Sequence, residues 1–195
     1  MAYRQLLFGF ICAILLASMQ QAATKPYRVR AVAVALPHPE YVPSRWFQEF
    51  DQIELDGRIP SSQRDRGAVL MMRTFAGLSR PAEYAEARGI LSAIAMHYRK
   101  VASSMCRLPA AAEVEDMRRG YVAYYCGMAQ LCEECAALPL VDAPKSLYRP
   151  LTQEEMALLV KRKHLLDDLL NTCRCTEQAI RKAHGLSFPK NANCD

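Results

Sequence analysis

Long apolar runs are scarce in this sequence of 195 residues, and that scarcity limits how the chain can relate to a membrane. The one clear run, Leu6 to Ala17, has twelve residues, fewer than the ~20 that a helix needs to cross a bilayer core. No other stretch is apolar enough or long enough to span a membrane. The sequence therefore predicts no membrane span once this N-terminal segment is removed.

Several short motifs are missing as well, and each absence excludes a class of function. There is no Asn-x-Ser/Thr triplet, so N-glycosylation is not expected. There is no Gly-x-Ser-x-Gly motif, no calcium-binding loop and no His-Asp pair flanked by cysteines. Acidic and basic residues are interleaved, with a net charge of +5, which is typical of a solvated surface rather than of a nucleic-acid interface. We therefore expect no nucleic-acid partner and no cofactor.

The N-terminus has the layout of a secretory signal peptide. Arg4 precedes the apolar run, and small and polar residues follow it over 18–23. We assign residues 1–23 to the signal peptide, place cleavage near Ala23 and expect the rest of the chain to be secreted. An uncleaved signal anchor is the alternative, and it would make the chain a membrane-tethered subunit of a larger complex.

Proline is concentrated early in the remaining chain. Residues 24–60 hold five of the eleven prolines, and the pattern predicts an irregular arm. The valine-rich segment 27–36 could be extended, but its only candidate strand partner is Gln52 to Leu55. A short helix is predicted at Ser44–Phe50. This helix would present three aromatic side chains: Trp46, Phe47 and Phe50.

Residues 61–195 are predicted to form an all-α, disulfide-stabilised domain, a bundle of about four main helices. Prolines separate four long intervals with helical patterns: 62–78, 81–107, 109–137 and 152–184. Ser62 with Asp65 and Thr152 with Glu155 look like capping boxes, and Gly185 is a plausible stop. In the last interval the predicted buried stripe consists of Met156, Leu159, Leu166, Leu170 and Cys173.

Cysteine usage supports an exported chain. Seven cysteines remain after the leader: Cys106, Cys126, Cys132, Cys135, Cys173, Cys175 and Cys194. In an oxidising compartment most of them should form structural disulfides. Because the number is odd, one is left over, and we expect it to be Cys106 or a residue of the 126/132/135 group. Cys194 lies in a tail that can reach Cys173 or Cys175. An exposed leftover thiol would allow a disulfide-linked homodimer.

The same cysteines suggest two other sites, which we consider weaker. Cys132 and Cys135 have the C-x-x-C spacing of redox centres, and with Cys173 and Cys175 they could form a four-cysteine zinc site. The C-x-x-C pair is predicted near a helix C-terminus beside two glutamates, where the pKa of a thiol rises. C-x-C on a helix is poor zinc geometry. We therefore predict neither a metal site nor a redox site.

Two further groups of residues could carry function. His164 precedes Asp167 and Asp168 by three and four residues, the helical spacing of a base with an orienting acid. A solvated surface is the simpler interpretation, and we assign no catalytic residue. The second group is aromatic: Tyr121, Tyr124 and Tyr125, between Gly120 and Gly127. Glycines seven residues apart would let another helix approach closely or a ligand enter, and close packing is the preferred interpretation.

The sequence thus predicts a secreted, non-enzymatic helical binding protein. It would act on a partner protein or receptor, or hold a small apolar ligand between its helices. The alternatives are a secreted enzyme of unrecognised helical type, in which His164 and Asp168 would act, and the membrane-tethered subunit.

Overall fold

The computed structural model describes residues 41–137 and 151–187, which form five helices and no strand. The helices are α1 (Pro43–Asp56), α2 (Ser61–Phe75), α3 (Pro81–Cys106), α4 (Ala112–Ala137) and α5 (Gln153–Ala183). The all-α prediction is confirmed, and the four predicted intervals correspond to α2 to α5. The signal peptide, residues 24–40 of the predicted arm and Cys194 lie outside the described residues.

Helix α1 corrects the prediction for residues 41–60. It has 14 residues rather than seven, and it includes Gln52 to Leu55, the candidate strand. Its aromatic side chains are at most 2% exposed, so this helix belongs to the core: Trp46, Phe47 and Phe50. Pro43 occupies the first turn, where proline is compatible with a helix because that N–H has no partner in the helix. The described chain therefore has five helices rather than about four.

The ends of the helices follow local sequence signals, with one exception. Thr152 and Glu155 form the predicted capping box: the Glu155 nitrogen lies 3.2 Å from Thr152 Oγ1, and the Thr152 nitrogen lies 2.8 Å from Glu155 Oε2. Gly185 has φ +65° and ends α5, and the N–H of Leu186 donates to the carbonyl of Arg181 at 2.8 Å. The capping box predicted at Ser62 is wrong, because α2 begins one residue earlier and Pro60 is its N-cap without a side-chain hydrogen bond.

Helices α3 and α4 form an antiparallel hairpin that turns at residues 107–111. At the turn Arg118 Nη1 donates to the carbonyl of Cys106 at 3.0 Å, and at the open end the hydroxyl of Tyr84 donates to the carbonyl of Ala136 at 3.4 Å. The largest apolar cluster draws on α1, α3, α4 and α5 and includes Phe50, Met105, Val114, Met117 and Tyr121. Within the described ranges we find no helix whose apolar stretch could reach across a bilayer.

Helix α5 runs antiparallel to α4 and is buried unevenly. Its four buried residues all lie in its C-terminal part: Cys173, Glu177, Ile180 and Arg181. Residues 153–172 contain no fully buried side chain, although many of them are apolar and partly covered. The C-terminal part therefore anchors this helix, and the N-terminal part rests on the bundle surface.

Candidate functional site

A buried ionic cluster joins α1, α4 and α5. Glu177 and Arg181 are 3% and 2% exposed, and Arg181 Nε donates to Glu177 Oε1 at 2.7 Å. The hydroxyl of Tyr121 donates to the other oxygen of Glu177 at 2.6 Å. Arg181 also pairs with Asp51 of α1, and its guanidinium lies 4.2 Å from the ring centroid of Phe47. Because each charge has its partner within the cluster, the arrangement is a structural tie between three helices.

Glu54 lies next to this cluster and has an unusual protonation equilibrium. Burial, reinforced by the negative charge of Glu177, raises the pKa of Glu54 from its usual 4.5 to about 7. The hydroxyl of Tyr125 points at Glu54 Oε1 at 3.5 Å, and the ring of Tyr124 lies 5.1 Å from that of Tyr125. Burial also raises the pKa of Tyr124 to about 12. At neutral pH the tyrosines are therefore neutral, and Glu54 is partly protonated.

Glu54→Gln is expected to alter the pH dependence of stability. With a folded pKa of about 7 against 4.5 unfolded, the folded state binds more protons between these values, so stability falls as pH rises through that window. The variant should lack this fall and, at pH 8, should exceed the wild type by about 1–3 kcal/mol in free energy of unfolding. Urea denaturation at pH 5 and pH 8 measures the difference. Glu49→Gln, an exposed glutamate of the same helix, should track the wild type, and parallel behaviour of both variants would contradict the assignment.

The two glycines of α4 bring α5 close, as the sequence predicted. A Cβ at Gly120 would collide with Cys173 Sγ, and a Cβ at Gly127 would collide with the side chain of Leu166. Cys173 and Leu166 are themselves seven residues apart, so the two helices meet at matching intervals. At Gly120 and Gly127, the space beside the tyrosines is filled by side chains of α5 rather than left open to a ligand.

The described cysteines are not bonded to one another. Three are exposed, Cys132 and Cys173 are buried, and Cys135 is partly buried; the exposed ones are Cys106, Cys126 and Cys175. Burial and neighbouring negative charge raise the pKa of both Cys132 and Cys135 to about 12, which disfavours the thiolate that redox chemistry requires. The disulfide pairing of the seven cysteines stays a prediction.

The register between α4 and α5 also bears on the zinc hypothesis. Cys173 packs against Gly120, twelve residues before Cys132, which is a separation of about 18 Å along the helix at ~1.5 Å per residue. Zinc–sulfur bonds of about 2.3 Å cannot bridge that distance. Among the described residues no three histidine, cysteine, aspartate or glutamate side chains are grouped to hold a metal ion.

The residues considered for catalysis lie on the outside of α5. His164 and Asp168 are both exposed and, among the hydrogen bonds of the described residues, are not joined to each other. Asp167 pairs with Lys163 instead. The structure therefore does not assemble a base with an orienting acid at this place.

The outer surface of α5 carries a feature that the sequence interpretation missed. Exposed residues follow each other at intervals of four and three, which places them on one face, called here the outer stripe: Glu154, Leu158, Lys161, Leu165, Asp168, Thr172 and Cys175. Leu158 and Leu165 are 68% and 60% exposed. Their sequence signal is a pair of leucines seven residues apart and offset from the buried stripe. The outer stripe is the best candidate for a binding surface.

Comparison with known proteins adds no relative. No protein-family model matches the chain, and neither the curated proteins nor the solved structures contain a significant match. A substrate, ligand or partner therefore has to be inferred from the chain's own residues.

Proposed function

We propose that this chain is an exported, non-enzymatic helical protein that binds a partner protein along the outer stripe of α5. The observation that carries the proposal is the exposure of Leu158 and Leu165 on a helix whose first twenty residues bury no side chain fully. The two leucines share one face of α5 with Lys161 between them, and exposed apolar side chains rimmed by polar groups are typical of interaction surfaces.

The spacing of the leucines suits a helical partner. Side chains at i and i+7 lie above one another on a helix, and helices engage each other through such rows. Burying one leucine side chain contributes roughly 1.5–3 kcal/mol, so the two could anchor a partner while the charged residues between them set its register. This favours a protein partner over the small apolar ligand, since α5 fills the space beside Gly120 and Gly127.

Export is part of the proposal and is supported by the N-terminal layout of the sequence. After export, the cysteines would form stabilising disulfides, and the exposed thiols Cys106, Cys126 and Cys175 are accessible for that chemistry. The membrane-tethered alternative differs in one property only, retention of the leader.

Site-specific photocrosslinking tests the proposal. A photoreactive residue at position 158 or 165, in the full chain made by cells that export it, is expected to give a discrete protein adduct in the medium. Sequencing of the recovered chain should show a start near residue 24. Met96 and Val69 are matched controls, because they are 68% and 55% exposed but lie on α3 and α2. Equal crosslinking at the control positions would contradict the binding surface, and a chain that stays in cells and begins at Met1 would contradict export.

A further inference from the structure

The charges of the outer stripe are complementary to themselves. Lys161 and Asp168 flank Leu165, both are exposed, and neither forms an ion pair among the described residues. We propose that the partner is a second copy of this chain, docked antiparallel across the outer stripe. This inference rests on the proposed function and names the partner of the same surface.

The helix geometry gives the alignment of the two copies. Lys161 lies four residues before Leu165 and Asp168 three residues after it, about 6 and 4.5 Å along the axis. At about 100° per residue, both side chains turn to the same side of the line through Leu165. A two-fold axis at Leu165 therefore places Lys161 beside the second copy's Asp168, with the two positions differing by only about 1.5 Å along the helix axis. The symmetric pair forms at the same time.

The remaining positions of the outer stripe agree with this alignment. Leu165 meets Leu165 of the second copy on the two-fold axis. Leu158 of one copy meets the methyl group of Thr172 of the other, because the two residues lie seven positions before and after Leu165. Glu154 meets the uncharged Cys175. No pair of like charges is brought together along the stripe, and the apolar contacts alternate with the two ion pairs.

The same residues exclude the parallel arrangement. With the helices parallel and in register, Lys161 would face Lys161 and Asp168 would face Asp168, and like charges in an interface select against that orientation. The antiparallel dimer also separates the two copies of Cys175, which lie ten residues from the axis, by about 30 Å. Cys175 cannot bridge them, since a disulfide requires Cα atoms within about 7 Å. The dimer is therefore non-covalent at this surface.

Charge reversal tests the alignment, because residues with only a structural role would not restore the dimer when two reversed charges are combined. The wild-type full chain should sediment as a dimer at tens of micromolar, with or without reductant. Lys161→Asp and Asp168→Lys should each weaken the dimer at least about tenfold, because both ion pairs become like-charge pairs. Mixing the two variants should restore a heterodimer, and the double variant should restore the homodimer, since every pair is again Lys with Asp.

The controls separate this inference from the proposed function. Lys100→Asp, an exposed lysine of α3, should leave the dimer intact, and circular dichroism should show every variant folded. A wild type that stays monomeric at about 100 μM, or a mixture that does not pair, would overturn self-association. If positions 158 and 165 then crosslink to a different protein, the proposed function survives; if they crosslink to nothing, both fail.

Discussion

Arg181→Met is expected to lower the free energy of unfolding by about 3–5 kcal/mol. The arginine is 2% exposed and neutralises Glu177, which is 3% exposed, so its loss leaves a carboxylate buried without its cation. It also removes the tie to Asp51 of α1. Domains are stable by only about 5–15 kcal/mol, so a loss of this size should be plain in urea denaturation followed by circular dichroism.

Two further variants make this expectation specific to the buried charge. Arg45→Met removes an exposed arginine of α1, paired with Glu49, and should change stability by less than about 0.5 kcal/mol. Combining Arg181→Met with Glu177→Leu should recover much of the loss, because both buried charges then leave together. If the single Arg181 variant were as mild as the Arg45 variant, the cluster would not hold the three helices together.

Gly120→Ala is expected to destabilise the protein by about 1–3 kcal/mol. The added Cβ would lie 2.3 Å from Cys173 Sγ, and Cys173 is buried, so the side chain or the two helices would have to shift. Thermal or urea denaturation measures the change.

In the matched control, the change in stability is expected to have the opposite sign. Gly89 lies within α3 with no atom within 4 Å of its would-be Cβ, so Gly89→Ala should stabilise the protein by roughly 0.5–1 kcal/mol. Cys173→Ala in the Gly120→Ala background removes the clashing sulfur and should recover part of the loss. A stabilising Gly120→Ala would show that α5 does not approach α4 this closely.

Most helix positions could be predicted from the sequence because their signals are local. Three such signals act within one helical turn and are found at helix ends in the structure: a proline at a first helical position, the Thr152 capping box and Gly185. The sequence prediction makes helix α1 too short because the density of prolines in 24–60 outweighs a helical pattern of apolar residues at Trp46, Phe50 and Ile53. Pro43 lies where a helix tolerates proline, so it did not interrupt that pattern.

The ionic cluster and the outer stripe depend on tertiary structure. Glu177 and Arg181 lie four residues apart and in sequence resemble an exposed helical ion pair. Their burial depends on the packing of α1, whose Asp51 pairs with Arg181. Leu158 and Leu165 resemble core residues in sequence, and their exposure follows from the absence of a covering helix among the described residues. The spacing of the two leucines places them on a face of their own, but periodicity within α5 cannot show whether another helix covers that face.

Because α5 is buried unevenly, local unfolding of its two halves is expected to cost different amounts of free energy. Opening of a segment costs free energy in proportion to the buried contacts that it breaks. The part from Cys173 onward cannot open without exposing Glu177 and Arg181, whereas none of the residues 153–172 is itself fully buried. Most of the surface proposed for binding therefore lies on the part of α5 that is expected to open at the lower cost in free energy. A bound partner would raise the protection of its amide hydrogens far more than that of the rest of the chain.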